Sequence, residues 1–336
     1  MLQPKQILEK YWGYSSFREP QEAIIAAVLN NKDCIALLPT GSGKSICFQI
    51  PALAKEGVCL VISPLIALMQ DQIQQLKQKG IKAETIPSKS TEDDIVTLFD
   101  KIKFSGVKFL YISPERLQSK LIQQKLKELT INTLAVDEAH CISEWGHDFR
   151  PAYRAIKNVK DFLPEVPTIA LTATANQRVI DDIAKNLDLN SPKIFKKSFS
   201  KENLGYHILD IENKQDKLIQ IFKKFKNPAI IYVNRRQYAY EIAEFLNSNN
   251  FKASFYHAGL QKAEKETAFK NWMSEKTPIM VATNAFGMGI DKSNIGLVVH
   301  YNLPFSIENY VQETGRAGRD AQKAFAILLK NDNDIS

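Results

Sequence analysis

Short apolar runs recur along this chain, each closing on small polar residues, and strand-like and helix-like stretches alternate between them. In the first half the runs are Cys34 to Leu38, Val58 to Ser63, Phe109 to Ser113, Thr133 to Asp137 and Thr168 to Thr172. Runs this short and this apolar predict strands buried on both faces. After the second run, Leu65, Leu68, Met69, Ile73 and Leu76 recur at helical spacing as far as Gly80, a residue suited to the left-handed turn that ends a helix. Ile46 to Ile50 likewise predicts the opening of a helix behind the first run. The alternation predicts a parallel sheet covered by helices, with ligands outside the carboxyl ends of its strands.

The rhythm fails between about Asn190 and Asp210, where Ser191-Pro192, Lys196-Lys197 and Asn203-Leu204-Gly205 carry no strong period. It then restarts. Pro228 to Asn234, Pro278 to Thr283, Gly296 to Tyr301 and Ala324 to Leu329 predict strands, and Tyr238, Ile242, Phe245 and Leu246 form one helical face. Two tandem α/β domains are therefore expected, 1–200 and 201–336, each a mainly parallel sheet flanked by helices.

With 44% hydrophobic and 24% charged residues, the 336-residue chain has the composition of an ordinary globular protein and not of a disordered one. The 44 basic residues exceed the 37 acidic ones, giving +7. That excess fits either a polyanionic partner or a lysine-rich surface that serves solubility. Cys34, Cys47, Cys59 and Cys141 form no C-x-x-C pair, so buried thiols are expected and zinc is not. No signal sequence opens the chain and no apolar run reaches membrane-spanning length, so a cytoplasmic protein without a membrane partner is expected.

Candidate chemistry begins at Thr40, Gly41, Ser42, Gly43, Lys44 and Ser45, between a predicted strand and a predicted helix. In that context a glycine-rich turn cradles phosphate with backbone N–H groups. Lys44 would neutralise the β and γ oxygens and Ser45 would ligate Mg²⁺. The general pattern asks for Gly at the position of Leu38. Asp137-Glu138-Ala139-His140 follows another strand; Asp137 would hold the same Mg²⁺ and Glu138 would polarise the attacking water. Near the other end, Arg316 and Arg319 lie three apart, in a half with no phosphate loop of its own. They suit a finger that acts on phosphate across a cleft, because arginine stays charged and its fork matches phosphate oxygens.

Taken together these blocks resemble the RecQ family of superfamily 2 DNA helicases, from about Tyr11 to Asp320. They stand in family order: Phe17-Arg18 with Gln21, Thr40 to Ser45, Ser63 to Gln72, Asp137 to His140, Leu171 to Ala175, Thr283 to Lys292 and Gln312 to Asp320. The resemblance implies two RecA-like domains, ATP and Mg²⁺ as cofactors, DNA-dependent ATPase activity, 3′ to 5′ movement on single-stranded DNA, and roles in DNA repair and recombination. It implies that Tyr14 stacks on adenine while Arg18 and Gln21 read its edge, that Asp291 contacts ribose, and that Arg319 is the principal finger with Gln312 and Arg316 beside it.

The stretch His140 to Tyr153 is the most family-specific. Trp145 and Phe149 could stack on bases while Arg150 meets phosphate. The resemblance implies that this aromatic-rich loop, with His140 and His147, senses single-stranded DNA and couples it to hydrolysis; Tyr153 is either part of it or core. Ser63, Gln70, Asn234 and Thr283 sit where the family lays DNA backbone. No Cys follows Cys141, so the zinc-binding and winged-helix regions usual after such a motor are expected to be missing. The chain is expected to act as a monomer on single-stranded and partially duplex DNA, with weak strand separation alone. A DEAH-type RNA helicase and a nucleotide-gated DNA-binding module are the rival readings.

Overall fold

The computed structural model describes residues 2–334 apart from Ser88, His147 and 287–291. The chain divides into two compact units, Met1–Ser198 and Phe199–Ser336. The strands of the first unit are β1 (Cys34–Leu37), β2 (Val58–Ile62), β3 (Ala83–Thr85), β4 (Phe109–Ile112), β5 (Ile131–Val136), β6 (Thr168–Thr172) and β7 (Lys193–Lys196). They form one sheet in the order β3-β4-β2-β5-β6-β1-β7, and every pairing among the described residues is parallel. Helices α1 (Pro4–Trp12), α2 (Gln21–Leu29), α3 (Ile46–Ala54), α4 (Ile66–Gln78), α5 (Glu92–Phe104), α6 (Lys120–Lys127), α7 (Ile156–Asp161) and α8 (Gln177–Asn186) supply the connections.

Both faces of this sheet are covered, which is why its central strands carry no polar alternation: β1, β2, β4, β5 and β6 are buried along their whole length. The predicted helical face behind β2 is real. Met69, Ile73 and Leu76 of α4 are buried against the sheet, and Gly80 follows the helix with φ 75°. At the opposite edge of the strands, Asp33 accepts the N–H of Thr168 at 2.7 Å and of Asn190 at 2.9 Å while Lys160 lies 3.2 Å away. Pair and loops are buried together, and removing either partner would cost about 3–5 kcal/mol because the other charge would be left uncompensated.

The second unit repeats the plan with β8 (Leu204–Asp210), β9 (Ala229–Tyr232), β10 (Ala253–Tyr256), β11 (Ile279–Ala282), β12 (Leu297–His300) and β13 (Ala324–Lys330), in the parallel order β10-β11-β9-β12-β13-β8. Its helices are α9 (Lys214–Lys224), α10 (Arg236–Ser248), α11 (Lys262–Met273) and α12 (Ile307–Thr314). Trp272 of α11 is fully buried and its indole N–H donates to Ala229 O at 3.2 Å, fixing that helix to β9. Among the described residues no helix is long and apolar enough to cross a membrane.

Candidate nucleotide site and nucleic-acid interface

The order of the first sheet places β2, β5, β6 and β1 side by side, so the loops leaving their carboxyl ends share one rim. From β1 the chain turns through Gly41 (φ 82°) and Gly43 (φ 79°), a conformation that favours glycine. A Cβ on Gly43 would also lie 2.6 Å from the Gln21 amide nitrogen. Gln21 donates to Ser42 O at 3.0 Å and to Gly43 O at 3.2 Å, and accepts the N–H of Arg18 at 2.9 Å. Arg18 in turn reaches Gly41 O at 3.3 Å. Gln21 is 3% exposed with both ends of its amide engaged, so it shapes the loop where an adenine-reading edge was expected of it. Tyr14 remains half exposed just ahead of them.

Among the described residues, no acceptor takes the backbone N–H groups of Gly43, Lys44 and Ser45. Three consecutive free donors at the start of α3 are what an oxyanion requires. Lys44 Nζ lies 3.4 Å from Leu38 O, and its charge is near enough to act on Asp137.

Asp137 is anchored by its N–H to Ile62 O of the neighbouring strand at 2.8 Å. Burial and the Glu138 carboxylate push its carboxyl up to about 7, against the pull of Lys44 and of the Glu138 N–H that it accepts at 3.0 Å. Two adjacent, buried carboxylates within reach of the Lys44 charge are hard-oxygen donors that a divalent cation would allow to ionise, so the residues fit Mg²⁺. Glu138 holds a left-handed backbone (φ 46°), which turns the chain sharply off β5.

His140 lies behind the carboxylates. Its Nδ1 is 2.8 Å from Thr172 Oγ1 and 3.4 Å from Glu138 Oε2. The Thr172 hydroxyl donates to Thr174 O at 3.0 Å, so it must accept from His140, which fixes the proton on Nδ1. With 1% exposure, His140 has no surface to offer DNA; it joins Glu138 to the Thr172-Ala173-Thr174 turn.

The aromatic-rich loop leaves this point and is tied down by side chains. Ser143 donates to Asp182 of α8 at 2.6 Å, Trp145 N–H donates to Ser143 Oγ at 3.2 Å, and Arg178 of α8 lies 3.3 Å over the Trp145 ring. A Cβ on Gly146 would fall 2.3 Å from His140 O, so only glycine lets the loop fold back so closely. Trp145 itself is 58% exposed. Arg150, expected on phosphate, is instead bonded to Asp148 Oδ2 at 3.3 and 3.2 Å and to Pro64 O at 3.0 Å, linking this loop to the one after β2. Tyr153 belongs to the core, and its hydroxyl donates to Asp137 O at 2.8 Å. Ser63 is buried with its hydroxyl unpartnered, which excludes it as a surface contact, whereas Gln70 is exposed.

In the second unit the two arginines part company. Arg316 is 3% exposed and its guanidinium meets the Tyr232 hydroxyl, so it braces the interior where a place beside the finger was expected. Arg319 and Gln312 are partly exposed. Asn234 is exposed and Thr283 mostly buried, both at carboxyl ends of strands. Asn234 lines a cleft with Tyr232, Asn284, His300, Asn302 and Phe305. His147 and Asp291 lie outside the described residues.

The family model for DEAD/DEAH box helicases matches residues 18–183 and that for the helicase conserved C-terminal domain matches 213–321. The ATP-dependent DNA helicase RecQ of Pasteurella multocida is 42% identical over 331 residues, 98% of this chain and 52% of that protein. The ATP-dependent DNA helicase RecQ of Synechocystis sp. is 36% identical over 335 residues, 97% of this chain and 70% of that protein. The chain belongs to the RecQ family. Its two parallel α/β units are the tandem RecA-like domains of that family's helicase core. A structure of Saccharomyces cerevisiae Dbp5 bound to RNA and ADP BeF3 shares the fold at 20% identity, with a TM-score of 0.78 over 99% of this chain and 88% of that one. The chain spans about half the length of the first of these RecQ relatives.

Several residues of this RecQ core were not singled out from the sequence. Thr172 lies within the Leu171 to Ala175 block, and its partner His140 is 32 residues away. Phe305 is 72% exposed beside three asparagines, yet nothing in its neighbours in sequence marks it as more than a loop aromatic.

Proposed function

We propose that this chain is the ATP-driven motor of a RecQ-type DNA helicase, hydrolysing ATP in response to single-stranded DNA and moving 3′ to 5′ along it. The observation that carries the reading is one rigid strand end with two tasks. From the carboxyl end of β5, Asp137 and Glu138 face the phosphate loop, while the aromatic-rich stretch closes back on the same backbone, the Tyr153 hydroxyl donating to Asp137 O and the Arg150 N–H to Cys141 O at 2.8 Å. A base stacked on exposed Trp145, worth about 1–3 kcal/mol, would bear on the segment that holds Glu138.

In this reading the free N–H groups of Gly43 to Ser45 and the Lys44 ammonium hold the β and γ phosphates, with Thr40, Gly41 and Ser42 shaping the turn. Ser45 and Asp137 would hold Mg²⁺, which supplies charge neutralisation at those oxygens. Glu138 orients the attacking water, and its link to His140 fixes the carboxylate's direction. Tyr14 and Arg18 flank the base. Arg319 is the finger and Gln312 its neighbour, while Gln70, Asn234 and Thr283 lie along the DNA. Phe305 and the asparagine amides around it form a second surface suited to bases. Strand separation depends on regions beyond this core.

The test is ATP hydrolysis without nucleic acid, with single-stranded DNA, and with RNA of the same length and sequence. Stimulation by DNA and not by RNA is expected. Equal stimulation would favour an RNA helicase, because the discrimination runs through the 2′-OH. Binding of DNA without turnover would favour a nucleotide-gated clamp.

A further inference from the structure

The arginine segment begins where α12 ends, and helix ends leave carbonyls in need of donors. At the cap and just past it, Gly315 O and Ala317 O are caught by a single side chain, Lys201, at 2.6 and 3.0 Å. Asn203 catches the next stretch, donating from its amide to Gly318 O at 2.9 Å and Gln322 O at 2.7 Å. The fit is close: a Cβ on Gly318, which has φ 66°, would lie 2.5 Å from that amide nitrogen. Backbone bonds complete the enclosure, from Gly318 N to Ile295 O at 2.9 Å and from Ala324 N to Asn203 O at 2.8 Å. Lys201 and Asn203 come just after Ser198, where the first unit ends, and before β8. The opening peptide of the second unit is thus bonded to the segment of the same unit that carries Arg319.

We propose that Lys201 is a positioning residue for Arg319, holding the 315–319 backbone so that the guanidinium is presented in one place; this rests on the reading of Arg319 as the arginine finger. Two further features go beyond a simple helix cap. The Lys201 ammonium is half-buried and close enough to Arg319 that burial and the guanidinium charge together bring its pKa down to about 8. Placing a second cation there is unfavourable unless its donors are used, and both carbonyls use them. In addition, a lysine at a helix end normally serves its own helix, whereas this one arrives from more than 110 residues away.

The experiment uses the full chain with Lys201→Met, which keeps the stem and removes the donors, Lys201→Arg, which restores them, and Arg319→Ala alongside. DNA-stimulated kcat and the KM for ATP are measured together with hydrogen exchange of the 315–322 backbone. For Lys201→Met, kcat is expected to fall about tenfold with KM within about threefold. Exchange at Ala317 and Gly318 should rise about tenfold while the central strands keep their protection. Lys201→Arg should recover most of both.

Unchanged exchange at 315–322, or a rise shared by the whole second unit, would overturn the clasp. Faster local exchange with unchanged kcat would overturn the proposal from the other side, since the segment would be held by Lys201 but would not serve hydrolysis. Native turnover in Arg319→Ala would identify that second failure as one of the finger assignment itself.

Discussion

The carboxylates after β5 and Arg319 after α12 are held in different ways. Asp137 and Glu138 are buried, and side chains brace them from behind: His140 against Glu138, the Tyr153 hydroxyl on the Asp137 carbonyl. Arg319 is partly exposed, and the backbone that carries it is held through Lys201 and Asn203. The difference follows from the chemistry of the groups. A carboxylate serves only in the right protonation state, so its surroundings must be built around it, as the raised pKa of Asp137 illustrates. Arginine is charged wherever it goes, so only its place needs control.

If that contrast is sound, the largest effect should come from the phosphate loop. Lys44→Ala is expected to lower ATP turnover about 10³-fold and to leave binding of single-stranded DNA without nucleotide unchanged. Steady-state hydrolysis and a DNA-binding titration at one stated salt concentration check this, since phosphate contacts make affinity steeply salt-dependent. Native turnover in Lys44→Ala would remove the site from this rim.

The two arginines sharpen the comparison next. Arg319→Ala should lose about 10²- to 10³-fold in turnover with an unaltered melting transition. Arg316→Ala should do the reverse in kind. It removes a buried guanidinium from Tyr232, and about 2 kcal/mol of stability should go with it, read by denaturant unfolding. If Arg316→Ala lost turnover at full stability, the buried arginine would after all act on phosphate.

Much of this molecule is legible in its sequence, and what is not has a common cause. The nine apolar runs read from the sequence are the nine interior strands of the two sheets. The strands not anticipated are β3, β7, β8 and β10, and these are the four sheet edges. An edge strand need not be apolar on both faces, so β7 shows Lys193, Ile194 and Lys196 exposed and β8 exposes Tyr206 and Ile208. The reactive groups were legible for a related reason: the phosphate loop and Asp137-Glu138 directly follow interior strands. Their supports were not. Gln21 meets the phosphate loop 21 residues on, and Arg150 meets Pro64 across 86 residues. No local pattern encodes such pairs, because the sheet order brings them together.

The aromatic loop offers an intermediate effect. Trp145 is 58% exposed and stacked under Arg178, so its loss should cost little stability. Trp145→Ala is expected to keep the basal hydrolysis rate and to lose about tenfold of the rise produced by DNA. Arg178→Ala should copy it more weakly, because the ring would remain without its platform. A basal rate that fell as far as the stimulated one would place Trp145 among the supports of the carboxylates and erase the distinction between sensor and site.

The smallest expected effect probes the bracing itself. Tyr153 is fully buried, and its hydroxyl is the one side-chain donor among the described residues that reaches the Asp137 carbonyl. Tyr153→Phe keeps the ring, so no cavity opens and packing is unchanged. The Asp137 carbonyl loses its donor in a dry place, at a cost of about 1 kcal/mol, a shift of about 2–4 °C in the melting of a unit this size. Turnover should fall about two- to threefold, because the backbone N–H bond from Asp137 to Ile62 O still anchors the strand end. A tenfold loss at full stability would mean that the carboxylate is positioned chiefly through Tyr153. The aromatic-rich loop would then reach the reacting groups by a second route beside His140, and bracing in the first unit would resemble the backbone clasp of the second.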